Sequence, residues 1–131
     1  MILKHRFFEL AAGIAILLAV AACASKQPPV TIGKPGEKAV VIQADNFKFE
    51  PNNFKAGKGD EITLRLENIS NKEHNFTIKD PKGQKLKSVD IRPMEKVTVK
   101  IKLSNSGVYE FYCDKPLHSS FGMKGKIVVG Q

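Results

Sequence analysis

Tryptophan is absent from the sequence, which holds two cysteines, three histidines and three methionines, with 13 acidic residues against 21 lysines and arginines. Two cysteines cannot build the multi-bridge framework of a small disulfide scaffold. Three histidines leave no room for a multinuclear metal assembly that spends several imidazoles on each ion. No segment longer than a turn or two carries helical spacing, which excludes a helical bundle. The formal charge of +8 and pI near 9.6 come from basic residues scattered along the chain, with no nucleic-acid motif beside them. Such a spread reads as solvated surface and not as a nucleic-acid footprint, which clusters on one face.

What is present falls into three parts. Residues 1–22 look like an export signal: Lys4, His5 and Arg6 precede an apolar run from Leu10 to Ala22 that is too short for the roughly 20 residues of a membrane helix. The run ends Val20-Ala21-Ala22-Cys23, which resembles the bacterial lipoprotein signal, so Cys23 is expected to carry lipid and hold the chain on a membrane. An ordinary secretory signal and an uncleaved anchor remain the alternatives. Residues 23–38, with Pro28, Pro29, Gly33, Pro35 and Gly36, read as the lipidated cysteine and a linker that could reach roughly 45 Å if extended.

Residues 39–131 read as one domain. From Ala39 the apolar residues alternate, the mark of half-buried strands. Expected strands are Ala39 to Ala44, a run around Phe47 and Phe49 that ends at Pro51, Glu61 to Asn68, Asn75 to Lys79, Lys87 to Ile91, Lys96 to Leu103, Val108 to Cys113 and Lys124 to Val129. Seven to eight short strands separated by Gly, Pro and Asn turns imply an all-β sandwich or barrel.

Chemistry concentrates near the end of the chain, where Cys113, His118 and Met123 stand at Cys-x4-His-x4-Met. A thiol, an imidazole and a thioether on one short loop suit copper, which takes soft sulfur together with nitrogen ligands. A further imidazole is needed, and with His5 in the expected signal the candidate is His74, where a polar loop enters a strand. Taken alone, a loop histidine is usually solvated and a methionine usually packs a core. Met94, after Pro93, has no such partners and is read as packing.

These residues carry a resemblance. The segment from Gly107 to Val128, with Gly-Val-Tyr-Glu-Phe-Tyr-Cys, Pro-Leu-His and Gly-Met-Lys-Gly-Lys-Ile-Val, is similar to the metal loop of the cupredoxins, the small blue copper proteins. His74-Asn75-Phe76, Phe47-Lys48-Phe49-Glu50-Pro51, Gly59-Asp60 and Asn68 follow the same family's pattern. The loop spacing is like that of auracyanin and rusticyanin and longer than that of plastocyanin. The resemblance implies a Greek-key β-sandwich binding one type 1 copper through His74, Cys113 and His118, with Met123 axial. It also implies that Asn75 ties the two loops together and donates its backbone N–H to the cysteine sulfur. Pro116, Leu117 and Phe121 would form an apolar collar round the His118 edge, through which electrons pass. By strand alternation alone Tyr112 is expected to point opposite to Cys113, and its place beside that cysteine would offer a second path.

Four protein donors leave no position for substrate, unlike a catalytic metal site, so the expectation is a one-electron carrier and not an enzyme. No histidine is left for the further coppers of multicopper oxidases or nitrite reductases. A dinuclear oxidase-type site needs two cysteines on the loop, and here there is one. The expected partners are extracytoplasmic redox proteins with acidic docking surfaces, met by a monomer held at a bacterial membrane. The alternatives are a copper chaperone or storage protein of the cell envelope, and a domain that takes zinc.

Overall fold

The computed structural model describes residues 28–131; the expected signal and Cys23 lie outside them. Alternation of apolar and polar residues dictates the architecture. Where one face of a strand is buried, every second side chain must be apolar. In Glu61–Asn68 the side chains of Ile62, Leu64 and Leu66 are buried, and in Lys96–Lys102 Val99 and Ile101 are. The two strands pair antiparallel, with Ile62 opposite Ile101 and Leu64 opposite Val99.

Ten strands result: β1 Val30–Thr31, β2 Val40–Asp45, β3 Lys48–Glu50, β4 Asn53–Ala56, β5 Glu61–Asn68, β6 His74–Lys79, β7 Lys85–Ile91, β8 Lys96–Lys102, β9 Gly107–Tyr112 and β10 Lys124–Val129. They form a six-stranded sheet, β1-β4-β10-β9-β6-β7, and a four-stranded sheet, β3-β2-β5-β8. No helix occurs among the described residues. The chain changes sheet repeatedly, so that β5 and β6, consecutive in sequence, lie in opposite sheets: a Greek-key β-sandwich. The core between the sheets is built on aromatic rings. Phe111 of β9 stacks on Phe76 of β6 at 5.2 Å between centroids and meets Phe49 of β3 at 5.6 Å and Phe54 of β4 at 6.1 Å.

The fold differs from the expectation at three points. Val30–Thr31, inside the segment read as linker, pairs parallel with Phe54 and Lys55 of β4, and Ile32 is buried in the core. The sandwich therefore begins ahead of Ala39. β4 was not expected; it pairs parallel with β10, far away in sequence, and its turn-flanked Asn-Phe-Lys-Ala carries one core side chain. Phe47 is not a strand residue on the Phe49 face. It sits at φ 55° in the β2–β3 turn and is 43 % exposed, which sends its ring over the end of the sandwich.

Three other segments converge at that end: the entry to β6, the end of β7 and the loop between β9 and β10. Antiparallel pairing sets His74 opposite Ile91 at the β6–β7 edge, while β9 runs beside β6 and delivers Cys113 one residue past its last paired position.

Candidate metal centre

His74 opens β6 and is buried, held by the ladder to β7. Cys113 follows Tyr109 and Phe111 on the inward side of β9 and is fully buried. The loop after it closes on itself: His118 N–H donates to Lys115 O at 3.1 Å, Phe121 N–H to Leu117 O at 3.0 Å and Gly122 N–H to Ser119 O at 3.1 Å. Leu117 takes the left-handed conformation, φ 67°, and Gly122 does so at 103°. That conformation strains a branched side chain but costs glycine nothing. The turn directs His118 back over the site. Met123 is buried, tied by its N–H to His118 O at 3.0 Å and by its carbonyl to the Cys113 N–H at 3.1 Å.

The result brings together His74, Cys113 and His118, whose ligand atoms all lie within 4.8 Å of one another. His118 Nδ1 is 3.3 Å from His74 Nδ1 and 3.3 Å from Cys113 Sγ. The Asn75 backbone N–H donates to Cys113 Sγ at 3.3 Å. Electrostatics suit the donors to different degrees. Burial holds the His74 imidazole below its ordinary value, helped by His118 and opposed by Asp45, so the neutral ligand form is favoured. Burial pushes the Cys113 thiol up, against the N–H groups of Asn75 and Lys115 and the Lys115 charge. A cation replacing the thiol proton removes that penalty. Soft sulfur with two imidazoles suits copper and also admits zinc, and the donors present fit a single ion of that kind.

The side chain of Asn75 is spent away from the β9–β10 loop. Its Nδ2 donates to Asp90 Oδ1 at 3.0 Å and Ser88 Oγ at 3.3 Å, both on β7, and its Oδ1 accepts from Thr77 Oγ1 at 2.7 Å. The tie to the loop is ionic instead. Lys115 Nζ meets Asp90 Oδ1 at 3.2 Å and Glu73 Oε1 at 2.5 Å, so one loop lysine clamps β7 and the turn that leads into β6. These bonds pull the Asp90 carboxyl below its usual range, the Asn75 amide first and Lys115 second.

Around His118 the surface is apolar. Pro116, Leu117 and Phe121 are exposed. Phe47 adds a ring that sequence reasoning had assigned to a strand; its centroid is 5.2 Å from that of His118 and 5.2 Å from that of Phe121. Tyr112 lies on the outer face of β9 with the Lys79 ammonium 5.2 Å from its ring centroid. Met94 is not packing: at φ 62° in the β7–β8 turn it is 72 % exposed.

A model of the cupredoxin-like domain matches residues 13–129. The chain belongs to the cupredoxin family. This cupredoxin is 29 % identical over 98 residues to a plastocyanin of Dryopteris crassirhizoma, a match spanning 66 % of the chain and 92 % of the relative. Among solved structures it resembles the dithionite-reduced auracyanin of Roseiflexus castenholzii, with TM-score 0.64 and 20 % identity over 72 % of this chain and 98 % of that one. It also resembles auracyanin A of Chloroflexus aurantiacus, described as a "blue" copper protein, with TM-score 0.62 and 21 % identity over 79 % and 100 % of the two chains. At these identities the structural likeness bears on the fold.

Proposed function

We propose that this cupredoxin is a mononuclear type 1 copper protein that carries single electrons between extracytoplasmic redox partners while tethered to a membrane. The observation behind this reading is the convergence of the His74, Cys113 and His118 donor atoms within 4.8 Å, with the buried Met123 tied through its backbone to both Cys113 and His118. His74, Cys113 and His118 would hold the ion, with Met123 as the weaker fourth donor. Copper, when bound, supplies a one-electron couple.

The chain's residues fit carriage better than catalysis. Backbone bonds at Cys113, His118 and Met123 hold the donors in fixed positions, so little rearrangement accompanies a change of charge. A fourfold protein donor set leaves no place for substrate. Of the four expected donors His118 alone is not buried, with the Phe47 ring packed edge-on against its imidazole and Leu117 and Phe121 exposed on the same loop. A small apolar patch of this kind suits brief docking. The basic surface favours acidic partners and makes encounter dependent on salt.

A copper chaperone would expose ligands for exchange, whereas here His74, Cys113 and Met123 are buried. Voltammetry of the loaded protein separates the two. A carrier cycles repeatedly with its copper retained; rapid loss of the ion to a competing apo-protein refutes the carrier. Tethering through Cys23 is tested by mass spectrometry of membrane-extracted protein, where an unmodified N-terminus overturns it.

A further inference from the structure

Asn68 and Ser70, buried beside the metal centre, form hydrogen bonds that the carrier reading does not use. Ser70 Oγ lies 2.8 Å from His74 Nε2, on the side of the ring away from Cys113 and His118. Which atom donates is decided one step further out. Asn68 Nδ2 faces two carbonyls, Lys72 O at 2.7 Å and Ile91 O at 2.9 Å. Carbonyls only accept, so the amide nitrogen must stand there and Oδ1 must point the other way.

Asn68 Oδ1 in turn faces the Ser70 N–H and the Ser70 hydroxyl, each at 2.9 Å. A flipped amide would set a donor against the Ser70 N–H and an oxygen against both carbonyls. The orientation is therefore fixed by the backbone. The single Ser70 proton has Asn68 Oδ1 at 2.9 Å and Lys72 O at 3.2 Å as acceptors, while Ser70 Oγ also accepts from the Lys72 N–H at 3.2 Å. Were that proton given to His74 Nε2, Ser70 Oγ would face two oxygens with no hydrogen between them. Buried lone pairs set against each other in this way are costly.

We infer that Asn68 and Ser70 act as a relay that makes His74 Nε2 the protonated nitrogen and leaves the Nδ1 lone pair aimed at Cys113 and His118. They are positioning residues: neither touches the metal, and each acts through the ring of His74. Partners of this kind on a ligand histidine set its tautomer and orientation, and their loss lowers metal affinity about 10- to 100-fold. The proposal rests on His74 being a ligand through Nδ1, but its first test does not need the ion.

The decisive measurement is a two-bond 1H–15N correlation spectrum of the metal-free full chain. It should show His74 as the Nε2–H tautomer, with a ring N–H protected from solvent exchange. Ser70→Ala should lose that protection and bind Cu(I) at least about tenfold more weakly in competition with a chelator. Ser70→Thr, which keeps the hydroxyl, should restore both. An Nδ1–H tautomer in the wild type overturns the relay, and so does Ser70→Ala with protection intact and affinity within twofold. Failure of Ser70→Thr to restore the ring proton overturns it as well. Should Ser70→Ala not fold, the wild-type tautomer and the threonine variant decide. A wild-type Nε2–H signal in a protein that does not take copper upholds the relay and refutes the proposed function.

Discussion

Loading the site should release one proton, and it should come from Cys113. A metal binds the thiolate, so the thiol proton has to leave. Cys113 is fully buried, and burial raises its pKa above the ordinary 9.0 despite the N–H groups of Asn75 and Lys115 and the Lys115 charge. Between pH 7 and 8.5 the metal-free protein therefore carries that proton. Each unit of pH lost adds a factor of ten to the cost of removing it, about 1.4 kcal/mol. His74 adds no proton of its own here, because burial and His118 hold it below its ordinary 6.5. The apparent Cu(I) association constant should thus rise about tenfold per pH unit over this interval. Competition against a chelator that does not titrate in the same range measures the slope, and calorimetry in two buffers of different ionisation heat counts the protons. A flat profile would mean a preformed thiolate. A slope of two would mean that one of the two imidazole donors is protonated as well, against release from Cys113 alone.

Acid should weaken the metal-free protein. His74 is harder to protonate folded than unfolded, so the unfolded chain takes up its proton first as pH falls below 6.5; stability declines from there until the folded value is passed. Urea unfolding at a series of pH values checks this. Gly125→Ala should cost about 1–3 kcal/mol, because a Cβ would fall 2.2 Å from Phe111 Cζ and 2.5 Å from the Asn52 carbonyl, which already accepts from the Lys126 N–H; an unchanged urea midpoint refutes it. Lys115→Met should free the β9–β10 loop from Glu73 and Asp90. Amide exchange at 114–118 would then quicken several-fold with the strands unaffected, and global stability would change little because the pairs are exposed. Leu117→Glu or Phe121→Glu should leave the absorption spectrum intact and slow electron exchange with an acidic partner, measured by stopped flow.

The legible part of this molecule was the part written in short periods and side-chain chemistry. Alternation gives β5, β8, β9 and β10 nearly to the residue, since one face of each is buried and the other wet. Of the three side chains that converge, Cys113 and His118 are readable because they share one loop, and His74 because so few histidines exist. What was hidden depends on distant pairing or on backbone angles. β1 and β4 are too short to show a period and exist through parallel partners far along the chain. Phe47 reads as a strand residue until its positive φ turns it onto His118. Ser70, Glu73, Asp90 and Lys115 look like ordinary polar surface in sequence, and Asn68 stands out there only through the family pattern; Asn68 and Ser70 are buried beside His74 and the other three clamp the loop.

The central claim is that His74, Cys113, His118 and Met123 form one closed, redox-active copper site. An absorption spectrum after addition of Cu(II), then of ascorbate, then of an oxidant, tests it most directly. The expected result is an intense thiolate-to-copper band in the visible that bleaches on reduction, returns on oxidation and is absent in Cys113→Ser. Absence of the band in the wild type, or its survival in Cys113→Ser, contradicts the account.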